Sequence, residues 1–304
     1  MNNPQQTATQ EPHRLDKLLL RRAFERAAKS YDEAAILQRE VGARMLERLD
    51  LMRLSPAIIL DIGAGTGHAS AALAQRYKNA RVIAIDLAMP MLKQAQAHVP
   101  RFAKWLGGRQ TFVCADAERL PLQSASADMI FSNLTLQWCD DLDLIFNEFR
   151  RVLKPGGLLM FSTFGPDTLK ELRRSWSQVD DYSHINTFID MHDVGDALMR
   201  AHFAAPVMDV ENFTLTYDSV LKLMHDLKAI GAHNVTAERS TALTGKDHLK
   251  AMIDAYETYR RDGLLPASYE VVYGHAWAPE HSEVTNKEPG VTRIPITQIR
   301  RPGN

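Results

Sequence analysis

Cysteine is scarce. Cys114 and Cys139 are the two in 304 residues, too few for a disulfide framework and without the spacing of a structural zinc site. No metal centre is expected, and each thiol reads as a small buried side chain. Long apolar runs are missing too, since nothing approaches the ~18 residues needed to cross a bilayer. Neither charge is in excess, with 36 Lys and Arg against 37 Asp and Glu for a formal net charge of -1. A chain so balanced has no general attraction to nucleic acid or to an anionic membrane. Small molecules and specific protein partners are expected instead, and no oligomeric state is implied. The opening "MNNPQQTATQEP" has no apolar core and no Arg-rich amphipathic pattern; no targeting segment is read there, and a cytoplasmic location is expected.

What is present is ordinary globular chemistry, 45% hydrophobic and 24% charged, in a chain long enough for a sizeable core. From Arg14 to about Leu49, apolar residues recur at helical spacing. Short apolar strands then alternate with helices. The strands are "AIILDI" (57–62), "ARVIAID" (80–86), "QTFVCAD" (110–116), "ADMIFSN" (127–133) and "GLLMFST" (157–163). This alternation predicts an α/β fold, a doubly wound and mostly parallel sheet covered on both faces. After two more helical stretches, "VMDVENFTLTYD" and "ASYEVVYGHAWA" read as further strands on either side of a helical block. The first of them, if parallel to the sheet, ends at the carboxyl edge where such folds bind ligands. The predicted organisation is a disordered segment over 1–13, one domain over 14–278 with N-terminal helices and a helical lid at 218–262, and a disordered tail over 279–304.

The segment "ILDIGAGTGH" at 59–68 carries the first chemical signal. A dinucleotide site needs G-x-G-x-x-G, whose third glycine lets the helix close on the strand. Counted from Gly63, that glycine belongs at 68, where His68 stands; the spacing is instead Gly63, Gly65, Gly67. Asp61 precedes the turn, and its carboxylate opposes a phosphate and suits a ligand with an amino group.

"LDIGAGTG" resembles the first motif of the class I methyltransferases, which bind S-adenosyl-L-methionine. The resemblance implies that bare glycine backbone lets the cofactor pass close, with Asp61 facing its ammonium. Asp86, 19 residues past Gly67, is placed to accept both ribose hydroxyls, with Leu87 beside it. Asp116 and Ala117 are implied at the adenine, and Asn133 near the transferable methyl. "LKPGG" (153–157) is similar to that family's turn into its fifth strand.

Two further segments, "AFERAAKSYDEAAILQREV" (23–41) and "NLTLQWCDDL" (133–142), are similar to signature segments of the biotin-pathway malonyl-acyl-carrier protein O-methyltransferases, with "DTLKELR" and "LKAIGAHN" adding to the resemblance. It covers roughly 20–277 and implies methylation of the free carboxylate of a malonyl thioester, on acyl-carrier protein or coenzyme A. Such a carboxylate, with a pKa of ~4, is ionised at neutral pH and needs no general base. Alignment and desolvation then carry catalysis, with Tyr31 and Asn133 beside the reaction. A cation is expected for the acceptor carboxylate, from Arg151, Arg173, Arg174 or Lys228, and Trp138 is expected to wall its pocket. His68, His225 and His233 read as structural. Basic residues Arg21, Arg22, Lys222 and Lys228 are candidates to meet an acidic carrier. "GPDTLKELR" and "PASYEVVYGHAWAP" also resemble a methyltransferase-fold assembly-factor family that modifies a protein arginine, which stands as the alternative, together with methylation of another small carboxylate or a quinone-type substrate.

Overall fold

The structure, a computed structural model, describes residues 15–99, 109–232 and 245–280. His233 and the two expected terminal tails, apart from Pro279 and Glu280, lie outside these residues. Seven strands form one sheet: β1 (Ile58–Ile62), β2 (Arg81–Asp86), β3 (Gln110–Cys114), β4 (Ala127–Ser132), β5 (Leu153–Phe164), β6 (Ala204–Tyr217) and β7 (Leu265–Trp277), in the order β3-β2-β1-β4-β5-β7-β6. Strands β1 to β5 are parallel, β7 is antiparallel to β5, and β6 is antiparallel to β7. β6 therefore points the same way as β1, and its carboxyl end reaches the ligand edge, as expected from the sequence. β5 begins at Leu153, so "LKPGG" lies within it, where the register to β4 shifts.

The helices are α1 (Lys17–Ala27), α2 (Tyr31–Ala34), α3 (Ile36–Arg48), α4 (His68–Arg76), α5 (Met89–His98), α6 (Leu142–Val152), α7 (Lys170–Trp176), α8 (Met191–Arg200), α9 (Val220–Ala229) and α10 (Lys246–Glu257). Side-chain caps start several of them: Asp16 accepts from Leu19 N, Asp141 from Leu144 N and Ser219 from Lys222 N, each satisfying a helix-end N–H that has no partner within the helix. α6 turns Ile145, Phe146, Phe149 and Val152 to the sheet, one stripe at helical spacing.

The strands bury both faces because successive side chains alternate sides. Ile59, Met129, Phe131, Leu158 and Met160 pack with α3, α4, α7, α9 and α10, whereas Leu60, Ile62, Ile130, Leu159 and Phe161 pack with α6 and α8. α1 and α5 meet through Ala27, Ala28, Ala88 and Met91. Ser30 Oγ donates to Ala229 O at 3.1 Å and ties the α1–α2 bend to α9. These helices bring their side chains over the carboxyl ends of β1, β2, β4 and β5. Cys139 is partly buried as read, but Cys114 is exposed at the end of β3, its last residue and outside the core.

Candidate functional site

The three glycines of the β1–α4 turn all have positive φ, 72° at Gly63, 52° at Gly65 and 84° at Gly67, a region that side chains with a Cβ disfavour. Their surroundings differ. A Cβ on Gly63 would lie 1.9 Å from Thr135 Oγ1, and one on Gly67 would lie 2.6 Å from Ala95 Cβ. Those two glycines are required by close packing within the protein. A Cβ on Gly65 would approach only the Tyr31 ring, at 3.9 Å, so Gly65 alone opens onto free space. Gly63 N and Ala64 N both donate to Ile85 O, at 2.8 and 3.0 Å, locking the turn to the end of β2. His68 starts α4, stands 3.2 Å from Asp32 Oδ1 and borders one of the cavities beside the turn.

Two carboxylates face this turn. Asp61 is 1% exposed and accepts from Ser70 Oγ at 2.5 Å. Burial pushes its carboxyl up to about 7, with the Ser70 hydrogen bond opposing and the charge of Asp86 adding to the rise. Asp86 accepts from Gly65 N at 2.9 Å and from Ala88 N at 2.8 Å, and burial raises its pKa as well. Neither has a cationic partner among the described residues. An anionic group is costly beside two such carboxylates, and a cationic one is favoured.

Two cavities open around the turn and a third adjoins them at Gln38. One of about 110 Å³ is lined by Lys17, Tyr31, Gly63, Asp86, Asp116 and Asn133 among others, with Leu87 and Ala117 also on its wall. A second, of about 210 Å³, reaches Asp61, Gly65, Gly42 and Asn133. The largest, about 790 Å³, extends from Trp138 and Phe164 to Trp176 and His184, with Arg26 and Lys228 at its edge.

The expected cofactor residues are thus gathered in one place. Asp116 carries an additional partner: Lys17 Nζ lies 3.0 and 2.9 Å from its two oxygens and 2.7 Å from Glu118, bridging α1 to the loop after β3. Asn133 donates through Nδ2 to Gln38 O at 2.8 Å and accepts from Ser162 Oγ at 2.8 Å, so its carboxamide joins β4, β5 and α3. The Tyr31 phenol is held protonated by burial first and then by Asp86 and Asp32. Trp138 walls both the smallest and the largest cavity and packs edge-on against Phe24, ring centroids 5.4 Å apart.

The expected acceptor cations are placed differently. Arg151 lines none of the three cavities; it pairs with Glu148 at 2.7 Å and donates to Leu122 O and Leu120 O at 2.8 and 3.1 Å. Those bonds clamp the loop between β3 and β4 to α6. Arg173 also lines none of them and donates to Pro166 O and Thr168 O at 2.8 and 3.1 Å. Lys228 reaches the large cavity from an exposed position on α9. Sequence reasoning missed Lys17, Gln38 and Gly42. For Gln38 and Gly42 a signal existed: in α3 the stripe Val41, Gly42 and Met45 is buried, and Gln38 interrupts that same stripe with a polar side chain. A Cβ on Gly42 would lie 3.1 Å from Asn133 Nδ2, so the bare position lets α3 approach the end of β4.

The family described as "Methyltransferase domain" matches residues 60–161, the span from β1 through most of β5. The "Malonyl-[acyl-carrier protein] O-methyltransferase" of Methylovorus sp. (strain MP688) is 56% identical over 273 residues, covering 90% of this chain and 92% of its own length. The protein of the same name from Nitrosospira multiformis is 52% identical over 278 residues, covering 88% of this chain and 91% of its own length. Among solved structures, the YcgJ protein of Bacillus subtilis superposes with a TM-score of 0.56 at 19% identity, over 80% of this chain and all of its own, a likeness of fold.

Proposed function

The chain belongs to the malonyl-[acyl-carrier protein] O-methyltransferase family, and from that premise we propose that it transfers a methyl group from S-adenosyl-L-methionine to the free carboxylate of a malonyl thioester, giving the methyl ester that begins pimeloyl synthesis for biotin. The observation that carries this reading is the pair Asp61 and Asp86 beside the open backbone of Gly65, with no cationic partner among the described residues. That pair of acceptors disfavours a pyrophosphate and fits a ligand that carries an ammonium and ribose hydroxyls. When bound, S-adenosyl-L-methionine supplies the electrophilic methyl group that the acceptor carboxylate takes in line.

The protein residues bind, orient and exclude water. Asp86 has lone pairs left after its two backbone bonds and is assigned to the ribose hydroxyls. Asp116 and Ala117 are assigned to the adenine edge, Leu87 to the wall beside it, and Asp61 to the ammonium. Asn133 and Tyr31 close the site between the cofactor cavities and the acceptor, Asn133 by fixing α3 and Tyr31 by covering Gly65. No general base is required, because a malonyl carboxylate is already ionised at pH 7. The large cavity is walled mainly by apolar side chains, including Trp138, Phe164, Leu172 and Phe188, which strip water from an anionic nucleophile and raise its reactivity.

The acceptor is malonyl-acyl-carrier protein in this reading, and its preference over malonyl-coenzyme A is supported by the exposed Arg26 and Lys228 at the cavity edge, on α1 and α9, with Arg22 also exposed on α1. Arg21 and Lys222 contribute less, since each is paired on its own helix, with Glu25 and Asp226. The test is a competition between the two thioesters at rising salt. Carrier selectivity that falls as salt rises supports the surface, and selectivity for coenzyme A at all salt concentrations contradicts it.

A further inference from the structure

The side chain placed between the cofactor space and the acceptor space is a neutral carboxamide. Gln38 lines all three cavities, the one side chain placed where the cofactor space and the acceptor space meet on every side. Its backbone carbonyl takes the Asn133 hydrogen bond, and its side-chain carboxamide makes no hydrogen bond with any other described residue. Trp138, which walls two of the same cavities, likewise has no hydrogen-bond partner for its indole N–H among the described residues. The basic groups on the large cavity are elsewhere. Arg26, His225 and Lys228 are exposed at its edge, and His184 is stacked on Trp176 at 3.8 Å with its Nε2 2.8 Å from Asp180. Lys17, on the cofactor side, is taken by Asp116 and Glu118.

Resting on the methyl-transfer reading above, we propose that Gln38 and Trp138 are the acceptor-recognition pair, holding the malonyl carboxylate through the carboxamide N–H of Gln38 and the indole N–H of Trp138. The choice of neutral donors has a physical reason. The carboxylate loses its negative charge as the ester forms, so a cation beside it stabilises the starting anion more than the transition state and raises the barrier. Neutral N–H groups orient the oxygens with a smaller bias toward the charged form. They also hold the neutral ester less tightly than the acid, which favours product release. Two supports fix the pair: Asn133, itself held by Ser162, anchors α3 at Gln38, and Phe24 packs edge-on against Trp138.

The experiment compares wild type with Gln38→Ala, Gln38→Glu and Trp138→Phe, using malonyl-acyl-carrier protein as acceptor and calorimetric S-adenosylhomocysteine binding as the measure of an intact cofactor site. Gln38→Ala is expected to lower kcat/KM about 10- to 100-fold, the loss of a hydrogen bond to a charged group, with S-adenosylhomocysteine affinity unchanged. Trp138→Phe, which keeps a ring and removes the N–H, is expected to lose about tenfold. Gln38→Glu presents a second anion at neutral pH but regains a donor when protonated; its activity relative to Gln38→Ala should therefore rise as pH falls from 8 toward about 5. Wild-type kcat/KM in Gln38→Ala, a parallel loss of S-adenosylhomocysteine affinity, or a Gln38→Glu profile with no recovery in acid each overturn the assignment. Wild-type protein that binds S-adenosylhomocysteine and esterifies no malonyl thioester refutes the methyl-transfer reading itself, whereas wild-type transfer with an unimpaired Gln38→Ala refutes only the role of Gln38.

Discussion

Cofactor affinity should depend on pH through Asp61. Without ligand, burial holds this carboxyl protonated up to about 7, from an ordinary value of 3.8. The assigned partner is an ammonium, which binds the ionised form, so binding must release a proton whenever Asp61 starts protonated. For one such group the apparent Kd carries the factor 1 + 10^(pKa − pH), and this factor alone is about tenfold larger at pH 6 than at pH 8. The ammonium itself has a pKa of ~8, so affinity should peak near pH 7.5 and fall on both sides. Calorimetric titration with S-adenosylhomocysteine in buffers of different ionisation enthalpy measures both the affinity and the released proton. Asp61→Asn removes the titrating group; the acid limb should vanish while the alkaline limb stays. Stability gives an independent reading of the same shift. The folded carboxyl is raised above its unfolded value, so the ligand-free protein loses stability as pH rises from about 4 to about 7, by on the order of 4 kcal/mol through this group, and Asp61→Asn lacks that slope. A flat affinity between pH 6 and 7.5 in the wild type, or an acid limb that survives in Asp61→Asn, refutes the reasoning.

Asp86→Asn should weaken S-adenosylhomocysteine binding about 10- to 100-fold, by replacing a charged acceptor of ribose hydroxyls, and equilibrium dialysis reads it directly. Gly65→Ala places a methyl group in the open space of the turn and strains a positive φ; it should abolish measurable cofactor binding while lowering the melting free energy by only about 1 kcal/mol. Gly63→Ala collides with Thr135 instead, so its loss should appear first in thermal unfolding. Arg151→Ala should cost about 1 to 2 kcal/mol of stability through the lost Glu148 pair and loop carbonyl bonds, with kcat unchanged in the radiolabel assay. Lys17→Ala removes the bridge from α1 to Asp116 and Glu118 and should speed cofactor release in stopped-flow, with a variant-to-wild-type ratio that shrinks as salt rises.

The sheet was legible because β1 to β5 are short, apolar and separated by helices at their own period, a pattern that has few topological solutions. The carboxylates at the strand ends were legible for the same reason, since Asp61, Asp86 and Asp116 sit at or just beyond positions that the strands themselves mark. The glycine turn itself is plain in the sequence, yet the division of labour within it is not: Gly63 and Gly67 answer to Thr135 and Ala95, distant in the chain, and of the three only Gly65 leaves space. The acceptor site was the least legible part. Arg151 and Arg173 looked available because a sequence shows charge without showing partners, and both spend their donors on backbone carbonyls. Gln38 interrupts the buried stripe of α3 in the sequence, but that it borders all three cavities depends on how α3 meets the ends of β4 and β5.

Purified protein is incubated with S-adenosyl-L-methionine labelled in the methyl group and with malonyl-acyl-carrier protein, and the product is treated with mild base. Methyl transfer to the malonyl carboxylate predicts label on the carrier thioester, released as methanol by base, and no label when an acetyl thioester replaces the malonyl group. Label that persists after base, or that transfers equally to the acetyl thioester, contradicts it.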